Sequence, residues 1–456
     1  MRNFDALIIG SGQAGNPLAF KLADEGLKVA LIEKEHLGGT CVNDGCTPTK
    51  TYVASARRIW AVRNAAVMGV SLDAEPSIDL KEVRARKDRI VNDSVEGLRQ
   101  SLEDHQNIEL IRAEAQFTGP KQVKAGDQQL TAPEIYINVG GRPRIPEGFA
   151  DCRYLTNTSI LELGDLPDHL IIVGASYIGL EFGQMFRRFG SRVTIIDRNA
   201  RPVHHEDEDI SEAIKEFMEE EGVKFRLKSE CISAENMDHD QIRVHLECED
   251  SEKEVTGSHL LLAAGRQPNS DGLNLEATGL ATDKRGYIPV NEQLETEIAG
   301  IFAMGDCNGR GAFTHTSYND YEILIDQKFG EGQRKVSDRI PTYALYTDPP
   351  LGRAGMTLEE AKAAGYEVLV GEISMKQVAR AKEKGETHGK MKVLINAKDQ
   401  RILGASILGT GGDEVVTGLL NVMYADKPYT LLRDSVVAHP TVSELIPSLL
   451  ENLEPG

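Results

Sequence analysis

Basic residues are in short supply. Lysine and arginine total 51 against 71 acidic residues, a formal net charge of −20. Such a balance argues against nucleic acid and against anionic membrane surfaces as partners. Long apolar runs are missing too. Nothing approaches the roughly 18 residues needed to span a bilayer. The N-terminus shows no secretory pattern, because Arg2-Asn3-Phe4-Asp5 leads directly into an apolar strand. Six cysteines in 456 residues are too few for a disulfide scaffold. A reducing cytoplasm is the expected compartment. Four of them, Cys152, Cys231, Cys248 and Cys307, have spacings that suggest neither metal ligation nor pairing, and no metal site is expected. The remainder is the composition of an ordinary globular protein, long enough for about three domains.

The other two cysteines are placed differently. In Gly38-Gly39-Thr40-Cys41-Val42-Asn43-Asp44-Gly45-Cys46-Thr47-Pro48-Thr49-Lys50 they stand five apart, ahead of a helix-like segment from Tyr52 to Ala66. On one regular helix they would be separated by a rise of about 7.5 Å, more than the roughly 6.8 Å a disulfide tolerates between Cα atoms. A bond therefore needs a distorted entry turn, which Gly45 permits. Strained, accessible disulfides are the labile kind, and a helix N-terminus favours thiolate. Taken alone, the pair reads more readily as two ordinary buried cysteines.

Two stretches carry a nucleotide signal. The strand Ala6-Leu7-Ile8-Ile9 runs into Gly10-Ser11-Gly12-Gln13-Ala14-Gly15, then a helix through Ala23, then a strand from Lys28 to Ile32 ending in Glu33. Strand, glycine turn, helix, strand and acid form the dinucleotide fingerprint in its required setting. The helix N-terminus faces a pyrophosphate and the acid a ribose hydroxyl. The pattern recurs from Leu170: strand to Val173, Gly174-Ala175-Ser176-Tyr177-Ile178-Gly179-Leu180-Glu181, helix to Phe189, and strand Arg192 to Ile196 ending in Asp197. Ser176 replaces the usual middle glycine. Asp197 favours NAD, whereas Arg198 and Arg201 favour the extra phosphate of NADP. The choice stays open, with two arginines against one acid.

Elsewhere the chain reads more plainly. Lys81, Arg84, Arg86, Lys87 and Arg89 read as a solvated helix face. His204-His205-Glu206-Asp207-Glu208-Asp209 reads as acids opening a helix. Thr357-Leu358-Glu359-Glu360 is a capping box for a helix to Gly365. Met391 to Asn396 and Ile402 to Leu408 flank Lys398-Asp399-Gln400 as a hairpin.

From residue 8 to residue 444 these motifs resemble the class I pyridine nucleotide-disulfide oxidoreductases, the flavoprotein family of glutathione reductase, dihydrolipoamide dehydrogenase and mercuric reductase. The resemblance implies an α/β fold of two Rossmann-like dinucleotide-binding domains plus a C-terminal α+β dimerisation domain. Residues 1–145 and 268–338 would form the FAD-binding parts, 146–267 the NAD(P)-binding domain and 339–456 the dimerisation domain. FAD would lie against Gly10, Gly12, Gly15, Glu33, Gly39, Thr40, Lys50, Gly141, Asp306, Thr314 and His315. NADH or NADPH would lie against Gly174, Ser176, Tyr177, Gly179, Glu181, Asp197, Arg198 and Gly265. Cys41 and Cys46 would be the redox-active disulfide, with Cys46 on the flavin side and Cys41 as the interchange thiol. Lys50 would sit near the flavin's reactive nitrogen with Glu181 as its ion-pair partner, and Tyr177 would cover the nicotinamide pocket. His439, in Ala438-His439-Pro440-Thr441-Val442-Ser443-Glu444, would serve the partner subunit's cysteines as acid and base in a homodimer, oriented by Glu444.

The implied activity is electron transfer from NAD(P)H through FAD and the dithiol to a small-molecule disulfide or a metal ion. Dihydrolipoamide dehydrogenase shares every one of these elements, although Cys46-Thr47-Pro48-Thr49-Lys50 departs from its usual wording. Mercuric reductase typically has a cysteine pair near its C-terminus, whereas the last cysteine here is Cys307. A diaphorase acting on quinones or metal ions, and a non-catalytic nucleotide-binding subunit or redox sensor, are the alternatives. The joint presence of Cys41, Cys46, His439 and Glu444 counts against both.

Overall fold

Ala6–Ile9 is buried at every position and pairs in parallel with Val29–Glu33 on one side and Glu134–Ile137 on the other. A strand covered on both faces takes an uninterrupted apolar run, which accounts for Ala6-Leu7-Ile8-Ile9. The computed structural model describes residues 1–248 and 252–456. It extends this pairing into a five-stranded parallel sheet ordered Ile301–Ala303, Glu134–Ile137, Ala6–Ile9, Val29–Glu33, Ile108–Arg112. The edge strand Ile301–Ala303 lies far along the chain, so the first nucleotide unit is completed only after the second has been built.

The second unit is a four-stranded parallel sheet ordered Val223–Arg226, Arg192–Ile196, His169–Val173, His259–Leu262. The chain crosses between the units twice, at Gly141–Pro143 and Arg266–Pro268, and the two crossings pair antiparallel. Arg142 fixes them with a forked contact to Asp271 at 3.0 and 2.6 Å. The C-terminal part is a six-stranded antiparallel sheet with Ile402–Leu408 and Lys390–Asn396 near its middle. Mixed α/β architecture with two Rossmann-like units is therefore observed.

The helix after the cysteines starts earlier than its apolar pattern suggests. It runs Cys46–Arg63 and is followed by a single-turn segment, Ala65–Met68. It packs on Tyr177–Phe189, the helix of the second unit, through Tyr52, Ile59, Phe182, Phe186 and Phe189. Tyr52 is fully buried, meets Phe189 edge-on at 6.2 Å between ring centres and donates its hydroxyl to the Leu161 carbonyl at 3.0 Å. Thus one apolar seam locks the cysteine-bearing helix to the nucleotide unit.

Two expectations change. The basic run on helix Leu80–Glu103 is solvated only in part: Lys81, Arg86 and Arg89 are exposed, but not Lys87. Lys87 is buried and pairs with Glu162 at 2.6 Å, Arg84 also reaches Glu162, and Arg86 donates to the Thr51 carbonyl at 3.1 Å. The acids at 206–209 do more than open helix Glu208–Glu220. Glu206 is buried beside Arg353 at 3.4 Å and accepts from the Tyr343 hydroxyl, while Asp209 binds Lys390 and Lys392, each at 3.0 Å. Those charges pin the nucleotide unit to the C-terminal sheet. The capping box at Thr357 forms reciprocally with Glu360, at 3.1 and 2.8 Å, and the hairpin pairs as expected. No helix among the described residues is long and apolar enough to cross a membrane.

Candidate active site

Both glycine turns are built alike. Gly10 and Gly174 have φ of +101° and +114°, a region open to glycine at little cost. A side chain at either would collide with the next strand's carbonyl, at 2.2 Å from Asn138 O and 2.4 Å from Ala263 O. Each acid at the following strand end bonds back to its turn. Glu33 accepts from the Ser11 N–H at 2.9 Å and hydroxyl at 2.8 Å. Asp197 accepts from the Ala175 N–H at 2.7 Å and from Asn199 at 2.8 Å. Arg198 is exposed beyond Asp197. Ser176 stands in extended conformation at the start of its helix.

A cavity of about 520 Å³ runs between these units. Gly10, Gly12, Glu33, Gly39, Thr40, Cys41, Cys46, Lys50, Ser176, Tyr177, Glu181, Gly265, Asp306 and Thr314 line it. Among the other expected residues, Gly15, Gly141, His315, Gly174, Gly179, Asp197 and Arg198 are not part of its wall. His315 instead places Nε2 2.8 Å from the Thr342 carbonyl. Helices Gly15–Asp24 and Tyr177–Phe189 both begin without a cap from their N-cap side chain, so their positive dipole ends suit an anion. With the glycine walls, these helix ends fit a pyrophosphate-bearing dinucleotide.

The cysteines lie on two separate helices, Gly39–Asn43 and Cys46–Arg63, broken at Asp44 and Gly45. Gly45 packs so tightly that a side chain would stand 2.8 Å from the Thr40 carbonyl. This break is the distorted entry turn that the spacing demands. Both cysteines are thiols in this structure. The interaction between the two thiols raises Cys41 well above the ordinary thiol range, and burial adds to the rise. The same interaction lowers Cys46 to about 6, helped by Thr314 and Lys50 and opposed by burial and Glu181. Thr314 Oγ1 lies 3.2 Å from Cys46 Sγ, and Cys46 is the first residue of its helix, where thiolate is favoured.

Lys50 forms an ion pair with Glu181 at 2.7 Å. Tyr177 packs edge-on against Phe313 and Tyr343, at 5.8 and 5.2 Å between ring centres. Asp306 lies 3.8 Å from Arg266 and is raised by burial, with Arg266 opposing. His439 is set apart. It is 75% exposed, does not line the cavity, and holds Glu444 through Nδ1 at 2.8 Å. Asn138 was not anticipated. Its side chain accepts from the Gly15 N–H at 2.9 Å and donates to the Met304 carbonyl at 3.1 Å, joining the two halves of the first unit. A polar residue ending the apolar run Ile135-Tyr136-Ile137, just before Gly140-Gly141, was the available signal. Tyr346, beside Lys50, had no local signal at all.

A family model described as pyridine nucleotide-disulphide oxidoreductase matches residues 4–320, and one for the dimerisation domain of the same family matches residues 341–449. The chain belongs to the pyridine nucleotide-disulphide oxidoreductase family. Members of this family are FAD-dependent and use NAD(P)H. Among relatives, a probable pyridine nucleotide-disulfide oxidoreductase RclA of Escherichia coli is 35% identical, covering 98% of this chain and 99% of its own. A mercuric reductase of Staphylococcus aureus is 31% identical over 97% of this chain and 81% of its own. A dihydrolipoyl dehydrogenase of Thermus scotoductus is 31% identical over 97% and 96%. A solved Cu(II) complex of the HOCl-induced flavoprotein disulfide reductase RclA from Escherichia coli superposes with a TM-score of 0.89, at 34% identity over 99% of each chain. As an oxidoreductase family member, the chain also carries that family's dimerisation domain.

Proposed function

We propose that this protein is an NAD(P)H-dependent flavoprotein reductase of a reducing cytoplasm. Cys41 and Cys46 would deliver electrons to a disulfide or a thiophilic metal ion. The observation that carries this reading is that Cys41 and Cys46 share the wall of one cavity with both glycine-turn units, with Thr314 Oγ1 3.2 Å from Cys46 Sγ and the Lys50–Glu181 pair on the same wall. FAD bound in the glycine cradle supplies the two-electron link between nicotinamide and thiols, which move protons separately. Gly10, Gly12, Glu33, Gly39, Thr40 and Asp306 would hold that group, with Gly15, Gly141, Thr314 and His315 shaping the surrounding turns. Gly174, Ser176, Gly179, Asp197, Arg198 and Gly265 would hold the nucleotide, and Tyr177 would cover its pocket. Lys50, fixed by Glu181, keeps positive charge beside Cys46.

For a disulfide acceptor the thiol step balances as follows. The partner subunit's His439, oriented by Glu444, takes the proton from Cys41. The Cys41 thiolate attacks one acceptor sulfur, and the acceptor S–S bond breaks. The leaving thiolate takes that proton back. The Cys46 thiolate then attacks Cys41 Sγ, forming the Cys41–Cys46 bond and releasing the second acceptor thiolate. The dithiol is oxidised and the acceptor reduced. A thiol must lose its proton before it attacks a disulfide, and the exposed His439 is available to a second copy as that base. Metal-ion reduction is supported by the names of the relatives, which include mercuric reductases and a Cu(II) complex.

The test compares Cys41→Ser and Cys46→Ser with the parent on disulfides, on Cu(II) and on quinones. Loss of disulfide reduction in both variants with FAD still bound is the expected result. Near-parental disulfide reduction by Cys46→Ser would overturn the assignment, and quinone activity indifferent to both changes would favour the diaphorase reading.

A further inference from the structure

Lys50 is held from two sides. Its amine meets Glu181 Oε2 at 2.7 Å, and the Tyr346 ring centre lies 4.6 Å from the same nitrogen. The backbone N–H of Tyr346 also donates to Glu181 Oε1 at 3.0 Å. One residue thus contacts both members of the ion pair. Tyr346 lies in the turn between strands Thr342–Leu345 and Leu351–Gly355 of the C-terminal sheet. Its neighbours grip the same two helices. The Thr347 carbonyl accepts from Arg57 on the cysteine-bearing helix at 2.9 Å. Asp348 pairs with Arg188 at 2.6 Å, and its backbone exchanges bonds with Gln184 at 2.8 and 2.9 Å. The segment from Tyr346 to Asp348 therefore clamps both helices to the C-terminal sheet.

We propose that Tyr346 is a positioning residue whose ring holds the Lys50 amine toward Cys46, so that the C-terminal domain of the same chain sets the electrostatics of the reactive thiol. This rests on the reading of Cys46 as the working thiolate. An ammonium over a ring face is attracted by the ring's quadrupole and loses freedom to wander. A lysine without that restraint explores four flexible bonds and is better screened by water. The groups facing Cys46 are Cys41, Thr314, Lys50, Glu181 and Tyr346 itself. Tyr346 stays neutral there, because burial raises its phenol first, and Asp413, Glu181, Cys46 and Glu414 raise it further. It adds no negative charge against the thiolate.

The experiment is a pH titration of thiolate ultraviolet absorbance in the reduced, FAD-loaded protein, subtracting the same titration in a Cys46→Ser background. The parent is expected to show a midpoint near 6. Tyr346→Leu should move it up by roughly half to one pH unit. Tyr346→Phe, which keeps the ring, should leave it in place, and Lys50→Met should move it at least as far as Tyr346→Leu. Should Tyr346→Leu not fold, Tyr346→Met gives the same comparison. A parental midpoint in the ring-less variant, or the same shift in Tyr346→Phe, would overturn the positioning role while leaving the dithiol reading intact. A parent midpoint near the free-thiol value would instead overturn the dithiol reading, and this inference with it.

Discussion

Replacing Thr314 by valine removes the hydroxyl that bonds the Cys46 thiolate and also acts on Cys41. The hydroxyl lies 3.2 Å from Sγ, and valine has nearly the same volume. Hydrogen bonds to charged groups contribute about 1.5–3 kcal/mol. Cys46 is exposed toward its cavity, so solvent screening puts this bond at the low end, about 1.5 kcal/mol. At about 1.4 kcal/mol per pH unit, the loss raises the thiol by about one unit. From a starting value of about 6, the thiolate fraction at pH about 6.5 should fall from roughly three-quarters to roughly one-quarter. Differential thiolate absorbance reads this directly, with Thr314→Ser as the control that keeps a hydroxyl. The sign carries over to folding. Cys46 lies below its unfolded value near 9.0, so its contribution is complete above that value and vanishes as pH falls through about 6. Thr314→Val should therefore be less stable than the parent in alkaline buffer and equal to it in acid. An unchanged titration curve would refute the idea that Thr314 supports the thiolate.

Other expectations follow from the same geometry. Cys41→Ser and His439→Ala chains, each almost inactive alone, should regain activity when refolded together, because a reciprocal two-fold interface restores one complete site in each mixed dimer; heterodimers as inactive as their parents would show that His439 serves its own chain. Arg198→Ala should raise the KM for NADPH roughly tenfold or more over that for NADH, since a charged hydrogen bond to phosphate is worth about 1.5–3 kcal/mol. Equal effects on the two nucleotides would assign the choice to Asp197.

What was legible in the sequence was local. The glycine turns and strand-end acids are set by spacing within about 30 residues, and both appear where the pattern places them, with Glu33 and Asp197 bonded to their turns. The first turn of helix Cys46–Arg63 is hidden from the pattern because Cys46-Thr47-Pro48-Thr49-Lys50 has no apolar periodicity, although proline is tolerated in a first helical turn. Lys87 escapes the local pattern because its ion-pair partner is Glu162, 75 positions away. Asn138 and Tyr346 act across even longer separations, 166 residues to Met304 and 165 to Glu181. No window along the chain contains those pairings, whereas His439 and Glu444 are five apart and were read together.

The central claim is that electrons from the nucleotide reach Cys41 and Cys46. Anaerobic titration of the oxidised, FAD-loaded protein with NADPH and, separately, NADH tests it most directly, when each sample is quenched with an alkylating agent and its thiols are located by mass spectrometry. The account predicts that one equivalent of the effective nucleotide makes Cys41 and Cys46 newly alkylatable together, while Cys152, Cys231, Cys248 and Cys307 do not change. Full oxidation of the nucleotide with no new thiol at either position would contradict it.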